Sequence, residues 1–196
     1  MVHGRAIFII PGFRQHPTNK AYKEVVKILK SEGYFPILVA ISWKNSTISQ
    51  NTEHFLKIYK KTKARKKYIL GFSYGAMIAF IAATKVNPSG IILCSLSPYF
   101  KEDMHKTPKN LSLLMTARYE DFSRLHCGTL AKKIKTGRIL MLYGAQEAKV
   151  LIKRVTDAFG QIPAQKKHLI PILKTEHEIG DKRYLNTIHY AVSELL

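Results

Sequence analysis

A serine flanked by glycines is the first feature of this sequence with a clear chemical use. The segment GFSYG, residues 71–75, follows the apolar run 68–70 and precedes the helix-forming run 76–83. A serine on a sharp turn from strand to helix needs glycine two positions away on either side, because side chains there would collide with neighbouring backbone. Its hydroxyl then points away from the edge of the sheet. The motif therefore predicts that Ser73 is a nucleophile.

A serine hydroxyl needs a base to accept its proton, and a histidine base needs a carboxylate that fixes its tautomer. Residues of both types follow later apolar runs. Glu147 comes shortly after the run 138–143, and His177 comes shortly after the run 168–173. The chain order Ser73, Glu147, His177 is the order expected for a catalytic triad on a doubly wound sheet. We therefore expect His177 to move the proton and Glu147 to orient His177.

The same chemistry needs two backbone N–H groups that face the negative charge of a tetrahedral intermediate. Tyr74 follows the nucleophile and begins a predicted helix, where the helix dipole also favours an anion. The loop after the first apolar run reads IPGF, and Gly12 in it permits close backbone approach. The sequence thus predicts an oxyanion hole formed by the amides of Phe13 and Tyr74.

Short apolar runs alternate with longer amphipathic ones along the whole chain, and the apolar runs are continuous rather than alternating. Such strands are typical of a parallel sheet that is buried on both faces. The pattern predicts an α/β fold: a single domain over residues 1–196, a three-layer sandwich with a mostly parallel, doubly wound, six-stranded sheet. The predicted strands are 6–10, 36–41, 67–70, 90–95, 138–143 and 168–173, and the predicted helices are 19–31, 49–61, 74–86, 118–134, 147–159 and 182–195.

Four segments together resemble the small, nearly lidless members of the α/β-hydrolase family: GFSYG at the nucleophile, IIPGF after the first strand, LYGAQE at the acid and EHEIG at the histidine. The resemblance covers nearly the whole chain and implies a serine hydrolase that cleaves a carboxylic ester through an acyl-enzyme, without a cofactor. Pro11 stands where the family usually has histidine, and Glu147 stands where it usually has aspartate. The N-terminal antiparallel strands of larger members are missing.

Several assignments stay open at this point. Glu102 and Asp103, beyond the strand 90–95, are alternatives to Glu147 as the acid, and Glu147 itself has the position of an ordinary acidic residue at a helix start. Gly12, in the loop after the first strand, and His16, near that loop, are candidate pocket residues.

Residues 97–120 interrupt the alternation of strands and helices and predict a short cap over the crevice. Its apolar side chains would form an acyl-binding wall or would pack the loop down. The candidate pocket residues in this segment are Pro98, Tyr99, Phe100 and Met115.

The charge of the chain is strongly positive, with 32 Lys and Arg against 13 Asp and Glu, which gives a formal net charge of +19. The densest basic cluster spans residues 57–67 and should lie at the amino ends of the strands, away from the crevice. We interpret it as a solvated turn, with binding to an acidic membrane surface or to nucleic acid as the alternative.

The amino-acid composition excludes several other types of protein. Two cysteines exclude a disulfide scaffold and favour a cytoplasmic protein, and no metal-ligand spacing occurs. The uncharged stretch 68–84 predicts a strand, turn and helix instead of a membrane span. The substrate should be a small acyl compound. Two other functions remain: a thioesterase or acyltransferase acting on a phosphate-bearing acyl carrier, and a non-catalytic scaffold that binds a ligand or partner.

Overall fold

A parallel sheet forms the centre of the protein, and the predicted apolar runs supply its strands. The computed structural model describes residues 3–44, 46–106 and 116–196. Across the described residues, six parallel strands pair in the order β2-β1-β3-β4-β5-β6. These strands are β1 (His3–Ile10), β2 (Phe35–Leu38), β3 (Ala64–Phe72), β4 (Gly90–Cys94), β5 (Arg138–Gly144) and β6 (Lys166–Ile172).

Helices cover both faces of this sheet, so the predicted three-layer α/β architecture is confirmed. The described helices are α1 (Lys20–Ser31), α2 (Ile48–Lys61), α3 (Tyr74–Ala82), α4 (Thr116–Ser123), α5 (Cys127–Ala131), α6 (Lys149–Gln161) and α7 (Lys182–Tyr190), with a 3-10 turn at Lys101–Lys106 and a π-helical turn at Ala191–Leu195.

The two faces of the sheet bury alternate residues of each strand, as the pleat of a strand requires. On one face, Ile7 and Ile9 of β1 pack with the apolar sides of α1 and α7. On the other face, Phe8 and Ile10 pack with α2, α3 and α6. Because both faces are covered, the strands β1, β3, β4 and β5 are apolar over their carboxyl-terminal halves, whereas β2 and β6 at the edges of the sheet are partly exposed.

Helix α3 explains the long uncharged stretch in the sequence. All nine of its residues are buried between the sheet and its neighbours, which leaves no room for a charged side chain. In the described parts of the chain, no helix combines the length and apolar character needed to cross a membrane.

Several elements differ from their predicted bounds: α3 ends at Ala82 instead of residue 86, β3 spans Ala64–Phe72 instead of 67–70, and the last predicted helix ends in the π-helical turn Ala191–Leu195. The single helix expected over 118–134 is two helices, α4 and α5, separated by residues 124–126. Strand β2 ends at Leu38 instead of residue 41, and α6 begins at Lys149, so Glu147 lies in the turn before the helix.

The order of the strands sets the place of the crevice. From β1 the chain moves to β2 at one side, and β3 then pairs with the other side of β1. At such a reversal the loops that leave neighbouring strands diverge and open a crevice at the carboxyl ends. The loops after β1 and β3 therefore border the site.

Candidate active site

Ser73 occupies a strained turn between β3 and α3. Its backbone φ is +56°, in the left-handed region, and its amide donates to the Cys94 carbonyl at 2.8 Å. A Cβ on Gly75 would lie 2.2 Å from the Ile10 carbonyl oxygen, and one on Gly71 would lie 2.3 Å from the Gly75 carbonyl oxygen. Only glycine fits at either position, so the two glycines of the motif allow the turn to pack against the loop after β1.

His177 lies next to Ser73 in space, although 104 residues separate them in the chain. The loop after β6 carries the histidine, and its Nε2 lies 2.8 Å from the Ser73 hydroxyl oxygen. Its ring packs on Phe72, with 4.9 Å between the ring centroids, while 40 % of the side chain remains exposed. The imidazole is therefore held in position and still reached by solvent.

Glu147 stands behind the histidine, in the turn after β5. Its Oε1 lies 3.5 Å from His177 Nδ1, slightly beyond an ordinary hydrogen bond, and its side chain is completely buried. The same oxygen accepts from the Gly144 amide at 3.1 Å and from the Ser95 hydroxyl at 2.5 Å. Within the described residues, the other carboxylate oxygen has no hydrogen-bond partner.

Ser95 and Tyr184 support this carboxylate, and the sequence did not single out either of them. The Ser95 hydroxyl lies 2.8 Å from the Tyr184 hydroxyl, and both side chains are fully buried. Ser95 donates its proton to Glu147, so the Tyr184 hydroxyl faces two acceptors, Ser95 Oγ at 2.8 Å and the Leu142 carbonyl at 3.3 Å. Burial raises the pKa of Tyr184 well above its ordinary value, so this hydroxyl keeps its proton.

Ser97 is a further hydroxyl that the sequence did not mark. It is buried, and its Oγ lies 3.2 Å from the Ser73 Oγ, within hydrogen-bond distance. Serines are common in turns, so the only sign in the sequence that Ser95 and Ser97 could be site residues was their position in the segment SLS, directly after β4.

Backbone strain gathers at this edge of the sheet. In the described part of the chain, every non-glycine residue with a positive φ follows the carboxyl end of a strand: Arg14, Ser73, Ser95 and Lys174. Residues in such conformations cluster at functional sites, where the surrounding structure holds them.

The predicted oxyanion residues lie together. The rings of Phe13 and Tyr74 are 5.8 Å apart, centroid to centroid, so the loop after β1 reaches the start of α3. The Gly12 amide is already engaged, donating to the Tyr22 hydroxyl at 2.9 Å and to Gln15 Oε1 at 3.1 Å. Tyr74 is the first residue of α3, where backbone amides have no acceptor within the helix.

The alternative acids have other partners. Asp103 is buried and forms a two-pronged ion pair with Arg154, at 2.9 and 2.7 Å, and it also accepts from the Phe100 amide. Glu102 accepts from the Cys127 amide at 3.2 Å, and one of its oxygens lies 4.0 Å from His126. Their described contacts tie these carboxylates to the framework beside the crevice, whereas Glu147 faces His177.

The predicted pocket residues occupy different environments. Pro98 and Tyr99 are half-buried, and Tyr99 stacks on Phe122 with 5.3 Å between ring centroids. Phe100 is fully buried in the core against Phe80. His16 is exposed and its Nδ1 pairs with the Thr18 hydroxyl. Met115 lies outside the described residues.

The aromatic side chains of Phe13, Trp43 and Tyr74 pack together beside the loop after β1, and we call them the aromatic wall. Trp43 packs edge-on against both Phe13 and Tyr74, at centroid distances of 5.7 and 5.3 Å. The Arg118 guanidinium lies 5.0 Å from the Phe13 ring centroid and donates to the Trp43 and Ser46 carbonyls, which fixes this wall to α4.

Among the described residues, no three His, Cys, Asp or Glu side chains are placed to hold a metal ion. Cys94 and Cys127 are free and buried, and burial raises the pKa of both thiols.

Comparison with known proteins places this geometry in a fold family. No family model matches the chain, and no curated protein is similar to it in sequence. Est1E from Butyrivibrio proteoclasticus with bound ferulic acid superposes with a TM-score of 0.82 at 16% identity, over 98% of this chain and 88% of that one.

Two further solved structures are similar. The α/β hydrolase domain-containing protein 10 from mouse matches with a TM-score of 0.76 at 15% identity, over 97% of this chain and 88% of that one. The monoacylglycerol lipase of Paleococcus ferrophilus matches with a TM-score of 0.75 at 14% identity, over 98% and 95%. The resemblance inferred from the motifs is confirmed at the level of the fold: this chain is an α/β-hydrolase-fold protein.

Proposed function

We propose that the protein is a serine hydrolase that cleaves a carboxylic ester through an acyl-enzyme intermediate. The observation that carries the proposal is the 2.8 Å contact between the Ser73 hydroxyl and His177 Nε2, with the buried Glu147 carboxylate behind the imidazole. A nucleophile, a base and an orienting carboxylate in this arrangement are what acyl transfer needs.

Ser73 Oγ attacks the ester carbonyl carbon while His177 Nε2 accepts the hydroxyl proton. The tetrahedral intermediate collapses, the proton passes from His177 to the departing alkoxide, and an alcohol leaves. Water then attacks the acyl-enzyme with His177 again as the base, which releases the acid and restores Ser73. The partial exposure of His177 supports this second step, because water reaches the imidazole directly.

The amides of Phe13 and Tyr74 bind the developing oxyanion in this mechanism. The engagement of the Gly12 amide by Tyr22 and Gln15 supports Phe13 as the donor from the first loop, since Gly12 is already used. The N-terminus of α3 adds favourable dipole potential at the same point.

Glu147 orients His177 and stabilises its protonated form. Two donors, the Gly144 amide and the Ser95 hydroxyl, face Glu147 Oε1 and hold the carboxylate in place behind the imidazole. The 3.5 Å distance to His177 is long, and such contacts commonly tighten when substrate binds. Ser95 and Tyr184 are positioning residues that act through Glu147.

The substrate is a small acyl compound whose apolar part packs on the aromatic wall. The half-buried rings of Phe13 and Trp43, which pack on the buried ring of Tyr74, suit a compact acyl or aryl group better than a charged one. Ferulic acid, the ligand of the similar Est1E structure, combines an aromatic ring with a carboxyl group.

A fluorophosphonate probe tests the proposal, because it reacts only with an activated serine. The native protein should be labelled, Ser73→Ala should not, and Ser97→Ala, the matched control for a neighbouring buried hydroxyl, should still be labelled. Turnover of a 4-nitrophenyl ester should fall roughly 10³-fold or more in Ser73→Ala. Equal labelling of Ser73→Ala, or a folded native protein inert to the probe, would overturn the proposal, and the second result would favour a non-catalytic scaffold.

A comparison of matched substrates tests the ester assignment. Faster turnover of an acyl thioester than of the matched ester would mean that the substrate is a thioester.

A further inference from the structure

The starts of the strands carry a concentration of positive charge that extends well beyond the cluster at residues 57–67. Because all described strands are parallel, their first residues lie at one edge of the sheet. In the register, Arg5 of β1 lies opposite Lys66 of β3, and Arg138 of β5 lies opposite Lys166 of β6. The segments that enter β3, β5 and β6 therefore meet at one face of the protein.

We call this the amino-end face and define it by fourteen side chains at the strand starts and in the turns that lead to them. They are Arg5, Lys30, Lys60, Lys61, Lys63, Arg65, Lys66, Lys67, Lys132, Lys133, Lys135, Arg138, Lys166 and Lys167.

Acidic residues concentrate at the opposite edge. The segments 57–67, 128–138 and 160–168, which enter β3, β5 and β6, contain no Asp or Glu, whereas the segment that enters β2 contains Glu32 beside Lys30. Of the 13 acidic residues, eight lie in or beyond the loops that leave the carboxyl ends of the strands: Glu102, Asp103, Glu120, Asp121, Glu147, Glu176, Glu178 and Asp181. The protein is thus electrostatically polarised, with its basic pole opposite the crevice.

We propose that the amino-end face docks on an anionic lipid membrane surface. Eleven of its fourteen cations are lysines, which act as point charges toward a diffuse anionic surface and lack the fork geometry that reads phosphates or bases. Two of the three arginines are already engaged: Arg5 donates to the Glu32 carbonyl at 2.6 Å, and Arg138 donates to the Leu196 carbonyl at 2.5 Å.

The rings of Tyr34 and Tyr59 at this face are buried under cationic side chains and are not exposed for stacking with bases. Arg5 lies over the Tyr34 ring at 4.4 Å and Lys67 over the Tyr59 ring at 4.7 Å, each measured to the ring centroid. Proteins that bind single-stranded nucleic acid present open rings to the bases.

Docking in this orientation leaves the crevice on the far side of the protein, facing the solvent. The proposal therefore does not depend on the catalytic assignment, and it predicts that membrane binding and ester turnover are separable. A soluble ester should be hydrolysed at the same rate by free and vesicle-bound protein.

Vesicle sedimentation tests the proposal. Vesicles of phosphatidylcholine with about a third phosphatidylserine should bind the protein at low salt, and pure phosphatidylcholine vesicles should not. The face variant Lys63→Gln, Lys133→Gln, Lys166→Gln takes one exposed lysine from each entry segment. Its matched control, Lys20→Gln, Lys101→Gln, Lys149→Gln, removes the same charge near the carboxyl-end loops. We expect at least tenfold weaker binding for the face variant and a much smaller change for the control.

Four results would overturn the proposal: no binding of the native protein to the anionic vesicles, binding that does not weaken as salt rises, equal weakening by the two triple variants, or tighter binding to a DNA or RNA oligonucleotide than to the vesicles. The last would assign the face to nucleic acid. The salt and lipid comparisons use the native protein alone, so they hold whether or not a variant folds, and ester turnover reports separately on the active site.

Discussion

The carboxylate of Glu147 is buried, receives two hydrogen bonds and faces His177, so its negative charge is the property that the proposed mechanism uses. Glu147→Gln keeps the size of the side chain and removes the charge. We expect kcat for an ester to fall roughly 10³-fold or more, because a neutral amide neither fixes the histidine tautomer nor stabilises the imidazolium. The measurement is steady-state turnover of a 4-nitrophenyl ester.

Glu102→Gln is the control for this exchange, since the same change is made at the acid that the sequence left as an alternative. Its kcat should stay within about threefold of the native value, because Glu102 contacts the Cys127 amide and not the imidazole of His177. A large loss in Glu102→Gln together with a small one in Glu147→Gln would transfer the role of the acid to Glu102.

Ser95 offers a second test at this scale, because its hydroxyl reaches the chemistry only through Glu147. Ser95→Ala should lower kcat about tenfold with little change in KM, since a hydrogen bond to a charged group contributes about 1.5–3 kcal/mol and only part of it reaches the imidazole. In the Glu147→Gln background the same exchange should have no further effect on kcat. Additive losses in the double variant would show that Ser95 acts independently of Glu147.

The side chains now placed around Ser73 differ in how far the sequence revealed them. Ser73, Glu147 and His177 were predicted because each follows an apolar strand in the order that a parallel sheet brings to one edge. Tyr184 could not be predicted, because in the sequence it is an apolar position of an amphipathic helix. Only the packing of α7 on the sheet brings its hydroxyl to Ser95, 89 residues away.

The turn between β3 and α3 depends on the absence of side chains at its glycines. Gly75→Ala should lower the free energy of unfolding by several kcal/mol or shift Ser73, because the new Cβ would stand 2.2 Å from backbone that cannot yield as a flexible side chain could. Urea unfolding and ester turnover report the two effects.

Gly160→Ala is the matched control for that exchange. Gly160 lies near the end of α6, and a Cβ there would meet nothing within 4 Å, so the substitution should stabilise the protein by up to about 1 kcal/mol through helix propensity. A stable and fully active Gly75→Ala would mean that the loop after β1 can withdraw from the turn.

The element that the sequence predicted least well is the helix expected over 118–134. Residues 124–126 contain neither proline nor glycine, so nothing in them signals a break. The break comes from tertiary contacts: the Leu125 carbonyl accepts from the Lys101 amide at 2.8 Å, and the Cys127 amide donates to Glu102. Backbone groups that a continuous helix would use internally are paired with the 3-10 turn instead. The strands were predicted more closely because their burial on both faces makes them visible as unbroken apolar runs.

At the scale of the whole molecule, the buried thiols and phenols link stability to pH. Burial raises the pKa of Cys127 from 9.0 to about 12 and that of Tyr59 from 10.0 to about 12, and it also raises the pKa of Cys94, Tyr22 and Tyr184. Above about pH 9 the unfolded chain therefore loses protons that the folded chain keeps. The folded state then binds more protons, so the free energy of unfolding falls as pH rises through this range.

Cys127→Ala isolates one of these groups. At pH 10.5 the unfolded thiol is mostly ionised while the folded thiol, with a pKa of about 12, is not, which corresponds to about 2 kcal/mol of lost stability. Between pH 7.5 and 10.5, the urea-derived free energy of unfolding should thus fall by about 2 kcal/mol less in Cys127→Ala than in the native protein. All other titratable groups are the same in the two proteins, so their contributions cancel in the difference. Tyr119→Phe, a change at an exposed ring, is the control and should show the native pH dependence. If the free energy of unfolding fell as much in Cys127→Ala as in the native protein, the thiol at position 127 would ionise as readily in the folded protein as in the unfolded chain.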